Sequence, residues 1–480
     1  MILVNNLNDS GAGSLRACIE ASGPRTCIFR VAGTIAITSP LTIANPYITI
    51  AGQSAPGGGI TVNGKNAPYG IIVSTHDVIM RYIRSRMGWT NAEGTQEGSP
   101  IWIGNGDCRN IIMDHVDVSW TRDENLTIWR FSGQPPIHNI TFSWSLNSEP
   151  LAGHPTSFGI GATDSATVAG ITDIDVHHSL MIDASHRIPL IGIPNIRWVN
   201  NLTYNWAFYA VQMLGGVTGD YIGNYWKPGS LNDLNTHEIQ SGPGGAQEMP
   251  GSPSIYVAGN LGYHVSSPSS DNWPLTAQVS GQNGSETGAL TRSDQRTTPQ
   301  PALQFPIGTD DVSSLEALLV PNTTAHPAGA SQRLDCNGNW VMNRDAVDLR
   351  VINNYNTGTG GLPNTEQDVG GYPTIDPGVT CTESLSDGIP DQWKTAHGLS
   401  TTDTGLNART APNGFTYLEN YLNATDPNTV VMGRLAGPMP GGSHNLLADV
   451  AVVLLTSRLR FPTDLVQNWM RNSLSSPTHR

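Results

Sequence analysis

The chain has 480 residues, of which 38% are hydrophobic and only 13% charged, about half the usual charged share of a globular protein. Its 52 glycines and 33 prolines are scattered along the chain, which excludes a coiled coil or a long-helix protein and favours many short strands joined by turns. Acidic residues outnumber basic ones by 39 to 25, a net charge of −14, so no nucleic-acid partner is expected. No membrane span is expected either, because the longest apolar run, Ala451 to Leu455, is far too short.

The N-terminus lacks a basic stretch followed by an apolar one, so no signal peptide is expected in this chain. The first element is a short helix over Ser14 to Ala21. Leu15, Cys18 and Ile19 stand at i, i+3 and i+4, with Ser14 as N-cap. Cys27 opens the strand that follows, so a Cys18–Cys27 bridge would pin this helix to the first coil. Cys336 and Cys381 form a second possible pair and Cys108 is left over. Two disulfides would suit an extracellular protein, and five buried thiols are the alternative.

Beyond the helix, one pattern recurs. The segments are PYITIAG from Pro46, DVIMRYIRSR from Asp77, NIIMDHVDVSW from Asn110 and NITFSWSLNS from Asn139. They continue with DIDVHHSLMID from Asp173, NIRWVNNLTYNW from Asn195, DYIGNYW from Asp220 and SIYVAGNLGYH from Ser254. Each is rich in β-branched and aromatic residues and bounded by Gly, Pro or Asn, and none is long enough to bury its own apolar face. Starting points fall roughly 22 to 35 residues apart, the repeat range of solenoids. A β-sandwich would space its strands more closely, at about 8 to 12 residues. The reading is a parallel β-helix, with the N-terminal helix plugging one open end.

From about Trp273 to Ala330 the periodicity fades into loops that wrap the solenoid, with a short helix expected from Ser313. SDGIPDQWKTAHGLS and PNGFTYLENYLNATDP then read as a helical pair. The last residues hold a possible helix at DVAVVLLTSRL. Three domains or segments follow: residues 1–380 as the β-helix with its loops, 381–430 as a small helical segment, and 431–480 as a tail without an assigned role.

Titratable residues gather in three places: Glu93 and Glu97; Asp114, His115, Asp117, Arg122, Asp123 and Glu124; and His177, His178, Asp183, His186 and Arg187. Residues one coil apart stack on one face of a solenoid, so carboxylates of the first two groups converge near Arg187. Such a groove suits a hard cation among oxygen ligands with a guanidinium opposite. Each group also has a plainer reading, as solvated loop acids, a stacked polar histidine ladder or an ordinary surface cation.

At this point the residues carry a resemblance. LNDSGAGSLRACIEASGPRTCIF, ITIAGQSAPGGGI, RYIRSR, IIMDHVDVSWTRDENL, HHSLMIDASHRIPL, VNNLTYNW, RDAVDLRVINN and DGIPDQWKTAHGL resemble the extracellular pectate lyases. The resemblance implies an all-β, right-handed parallel β-helix, here with an N-terminal capping helix and a small C-terminal helical segment. It implies a secreted, monomeric enzyme that cleaves polygalacturonate, an acidic polysaccharide, by β-elimination. In that chemistry calcium neutralises the uronate carboxylate and an arginine takes the C5 proton.

Residue by residue, Arg187 matches the catalytic arginine and Asp123 an acidic calcium ligand. Glu97 and Ser99 fall at two further acidic ligand positions and Thr127 at a fourth, with Glu124 a possible substitute. The calcium ligands expected are therefore Glu97, Asp123 and Glu124. Substrate contacts are expected from His115, Arg122, His154, Ser157, His178 and His186, with His154 replacing a lysine that the family carries near Ser157. A second family arginine is replaced by Gly192. These departures leave two alternatives to a calcium-assisted lyase: a β-helix that only binds acidic polysaccharide, and a calcium-independent enzyme acting on esterified pectin or by hydrolysis. In the C-terminal segment Glu383, Asp387 and Asp391 fall short of an EF-hand ligand set and read as structural.

Overall fold

The computed structural model describes residues 1–89, 98–232, 234–301, 306–322 and 326–429. Glu93, Glu97 and the 431–480 segment, with its expected helix, lie outside the described residues.

The chain winds into a parallel β-helix whose full coils contribute one strand to each of three sheets. One coil shows the plan: Arg109–Asp114 joins the first sheet, Asp117–Ser119 the second and Glu124–Arg130 the third. Among the described residues the sheets hold ten, eight and ten strands. Every neighbouring pair is parallel except the last in the third sheet, where Glu286–Gly288 folds back antiparallel on Thr276–Val279. Each quoted sequence repeat spans a first-sheet strand and, in most coils, the second-sheet strand that follows it. The third-sheet strands fall between the repeats.

Alternation explains the core. In the third sheet Ile71, Ile101, Leu126 and Phe158 stand in register, as do Val73, Ile103, Ile128 and Ile160 two positions on. Both rows point inward and belong to one apolar stack that continues through the coils. The intervening row, Ile72, Trp102, Thr127 and Gly159, faces outward.

The corner between the first and second sheets is made by non-glycine residues in the left-handed region. Tyr82, His115, Trp144, His178 and Asn200 have φ of 53°, 53°, 49°, 50° and 52°, a conformation that costs on the order of 1 kcal/mol or more each. Stacking helps to offset that cost. The rings of Tyr82 and His115 lie 4.6 Å apart, those of His115 and Trp144 6.0 Å, and those of Trp144 and His178 4.6 Å. Just inside the corner, backbone N–H groups without a sheet partner are met by a polar ladder. Ser145 Oγ accepts from Val116, Ser179 Oγ from Ser145, Asn201 Oδ1 from Ser179 and Asn224 Oδ1 from Asn201.

The capping helix runs Leu15–Glu20, with Ser14 Oγ accepting from Ala17 N–H at 3.1 Å and Leu15, Cys18 and Ile19 buried. Cys18–Cys27 and Cys336–Cys381 are disulfides and Cys108 is a buried thiol, which removes the alternative of five free thiols. The wrapping loops contain the expected short helix, Leu315–Leu319.

One helix escaped the sequence reading. Ala346–Thr357, capped by Asp345 and ended by Gly358 at φ 70°, packs on the second sheet. It brings Asp345 and Asp348 to Arg84 and Arg86, which are 0% and 1% exposed. Asp117 completes this buried cluster; burial and then Asp348 push its carboxyl well above the ordinary range.

The C-terminal pair, Asp391–Ala396 and Tyr417–Leu422, seats Trp393, Leu418 and Tyr421 against Ile28 and Ala51 of the β-helix. Its acids are already matched from within the chain. Lys394, wholly buried, places Nζ 3.0 Å from Asp387 Oδ1 and 3.8 Å from Asp391 Oδ1, and Arg30 pairs with Glu383.

Candidate active site

A groove of about 550 Å³ lies on the outer face of the third sheet. Its floor crosses successive strands, from Trp102 through Thr127, Gly159 and Leu190 to Leu214, so its long axis follows the helix axis. Glycines keep the floor low. A Cβ on Gly159 would lie 2.9 Å from Glu124 Cγ, and one on Gly161 3.1 Å from the Trp129 ring.

Arg187 sits where the chain enters its third-sheet strand, at φ 55°. Its Nη1 pairs with Glu124 Oε1, while its Nε is buried without a hydrogen-bond partner. Burial works against its charge, but Glu124 outweighs burial and the guanidinium is held above its ordinary pKa. Tyr209 is also close enough to raise it.

Asp123 and Glu124 stand next to each other at the start of a strand and share one site. Burial and then the charge of Asp123 raise Glu124 to about 7. The Glu124 carboxyl hydrogen-bonds Asp123, and His154 Nδ1 lies 2.8 Å from Asp123 Oδ1. Burial opposes the charge on Asp123, yet these partners hold its carboxyl below the ordinary value. Ser99 Oγ and Thr127 Oγ1 lie 2.6 Å apart along the same wall.

Among curated relatives, the probable pectate lyase C of Aspergillus oryzae is 30% identical over 437 residues, covering 89% of this chain and 90% of its own. That of Emericella nidulans is 31% identical over 428 residues, 88% of each. The chain belongs to the pectate lyase family. No family model matches it. Solved structures similar to it include a pectate lyase from Bacillus sp. N165 in complex with trigalacturonate, 16% identical over 64% of this chain and 86% of that one, with a TM-score of 0.38. A cedar-pollen allergen is 14% identical over 66% and 86%, with a TM-score of 0.40.

This pectate lyase brings Arg187, Asp123, Glu124, Arg122, His154, Ser99 and Thr127 to one groove. Arg122 donates from Nε to the Ala152 carbonyl at 2.8 Å and lies over the Trp89 ring. His186 stands just behind the wall, its ring 5.4 Å from His154 and 5.3 Å from Tyr209. Burial, followed by Arg187, depresses it to about 3, so near neutral pH it can offer only a neutral imidazole. With His186, three more of the expected contacts do not line the groove. His115 and His178 belong to the stacked corner between the first and second sheets, and the Ser157 side chain is wholly buried. His115 and His178 are left-handed corner residues between the first and second sheets, so their rings leave the coil on a different side from the third-sheet groove.

The sequence reading also missed groove residues. Tyr69, Trp102 and Trp129 supply apolar ring faces, and Tyr209 stands beside Arg187. The third-sheet strand Ile101–Ile103 carries Trp102 between two inward isoleucines, an alternation too short to stand out. At Gly192 a Cβ would meet the Gln247 carbonyl oxygen at 2.8 Å, so an arginine there needs that loop to move.

Proposed function

We propose that this pectate lyase cleaves polygalacturonate by β-elimination with Arg187 as the base. The observation that carries the reading is Arg187 held against the Asp123–Glu124 pair on the floor of one groove. Elimination breaks the C5–H and C4–O bonds, forms a C4=C5 double bond and leaves the departing glycosidic oxygen to take up a proton. A guanidinium cannot accept the C5 proton while it is fully protonated. Its pairing with Glu124 stabilises the charged form, so Arg187 must leave Glu124 before it acts.

Calcium fits this donor set when substrate oxygens complete it. Among the described residues no group of three or more His, Cys, Asp or Glu side chains is placed to hold a metal. Asp123 and Glu124 are nevertheless two crowded carboxylates, one raised to about 7, the condition that a nearby cation relieves. Asp123 and Glu124, with the hydroxyls of Ser99 and Thr127, are the residues proposed to hold the ion; Glu97 is proposed from the sequence alone. A hard cation takes about six to eight oxygens, so affinity is expected to be weak until substrate carboxylates join. When bound, calcium neutralises the uronate carboxylate and acidifies the C5 proton. Arg122 and His154 are proposed to contact neighbouring uronates, with the aromatic rings packing against sugar faces. Secretion is proposed from the family resemblance and from the two disulfides.

The test is ultraviolet absorbance of unsaturated uronides on polygalacturonate with calcium and then with EDTA. The expected result is a rise that chelation abolishes and that Arg187→Ala lowers about a thousandfold. A rise that survives chelation would remove calcium from the mechanism. Reducing ends released without absorbance would indicate hydrolysis.

A further inference from the structure

The groove has different room on the two sides of Arg187. Towards Trp102 the floor continues across three more third-sheet strands, at Gly159, Thr127 and Trp102. With strands about 4.8 Å apart, that is roughly 14 Å. Towards the other end the next outward position in register is Gln212, followed by Gln240. Both are covered by one feature, the turn and returning strand between Thr276–Val279 and Glu286–Gly288.

The cover is built rather than draped. Asn283 donates its N–H to Gln212 Oε1 at 3.1 Å and accepts from the Tyr209 hydroxyl at 2.6 Å. Glu286 accepts from Gln240 Nε2 at 2.8 Å and from the His237 N–H at 2.7 Å, and its other oxygen lies 2.7 Å from His237 Nδ1. Behind it the His237 ring stacks on His264 at 4.1 Å, and His264 Nδ1 lies 2.9 Å from the buried Glu238 carboxylate. Gln282, in the same turn, lines the groove end beside Gln247. The two outward glutamines in register beyond Arg187, Gln212 and Gln240, are thus already bonded to this hairpin.

We propose that the 276–288 hairpin ends the substrate groove about one strand spacing beyond Arg187, so that the enzyme acts near a chain terminus and releases short products. A pyranose occupies about one such spacing, so the hairpin side holds about one sugar, or two with the one beside Arg187, and the other side about three. The inference rests on the lyase reading above and adds to it the mode of attack and the element that sets it.

The experiment follows absorbance and viscosity together on long polygalacturonate, with products separated by size from the first few per cent of reaction. The expected result is rising absorbance, nearly constant viscosity, and unsaturated products of one or two units from the outset. A second protein, Asn283→Gly with Glu286→Ala, removes the latch; Asn283 has φ 58°, so glycine suits its turn. This variant is expected to yield longer early products and a faster fall in viscosity per bond broken. Early collapse of viscosity with mid-length products in the unaltered enzyme would overturn the proposal while leaving the lyase reading in place. A flat absorbance trace would overturn the lyase reading, and the proposal with it.

Discussion

Glu124 is in contact with two partners that pull its proton in opposite directions. Asp123 favours the acid and Arg187 the carboxylate, and burial tips the balance to about 7. The same pairing raises Arg187, so the resting site keeps the proposed base protonated. His186 behaves differently. Its folded pKa, about 3, lies below the unfolded 6.5, so its contribution to stability is present above pH 6.5 and is lost as pH falls towards 3. His186→Phe is therefore expected to flatten the loss of stability between pH 6.5 and 4, measured as urea midpoints across that range. Arg187, Asp123 and Glu124 were legible as single residues because DEN and SHR lie in recognisable strings, and His154 because it stands near Ser157 where the family carries a lysine. His115 and His178 were legible as titratable residues, but not as members of a ring stack facing another way.

At the scale of elements, the capping helix was read from its apolar spacing and its cap, and the C-terminal pair from the Asp-Gly and Asn-Gly turns that precede its helices. Ser14 accepts from a backbone N–H as its sequence suggests, and Thr416 does the same at a cap that the structure adds. The Ala346–Thr357 helix was hidden because its packed face carries Asp348 as well as Val351 and Tyr355, a mixed stripe that makes sense only opposite Arg84 and Arg86. That pairing is a strong point of cohesion. Arg84→Met is expected to lose about 3 to 5 kcal/mol by leaving Asp117, Asp345 and Asp348 short of a buried counter-charge, as measured by urea unfolding. Replacing Cys18 and Cys27 together by alanine is expected to cost about 3 kcal/mol, from the loop entropy of the unfolded chain. In the C-terminal segment Lys394 and Arg30 do the neutralising that an ion would otherwise do.

The whole molecule carries −14 and is proposed to bind a polyanion. Global repulsion slows encounter, and salt screens it: the Debye length falls from about 30 Å at 0.01 M to about 10 Å at 0.1 M. At fixed calcium, kcat/KM on polygalacturonate is expected to rise severalfold over that range, measured at substrate well below KM. A decrease would mean that the local cations Arg122 and Arg187 outweigh the net charge. Among the described residues no helix is long and apolar enough to cross a membrane.

By itself the sequence determined the coil. Short β-branched segments at solenoid spacing cannot bury themselves, so stacking was the available solution; local spacing gave the capping helix and suggested the Cys18–Cys27 pair, which the structure decided. The sequence also pointed to Arg187, Asp123, Glu124, Arg122 and His154, which the fold brings to one groove. Only the tertiary structure decided which of three sheets holds the groove, because a strand of three residues with Trp or Gly outward has almost no alternation to read. Only the tertiary structure showed that Gln212 and Gln240 meet the 276–288 hairpin, because those partners are separated by many residues and are joined by the winding of the chain alone.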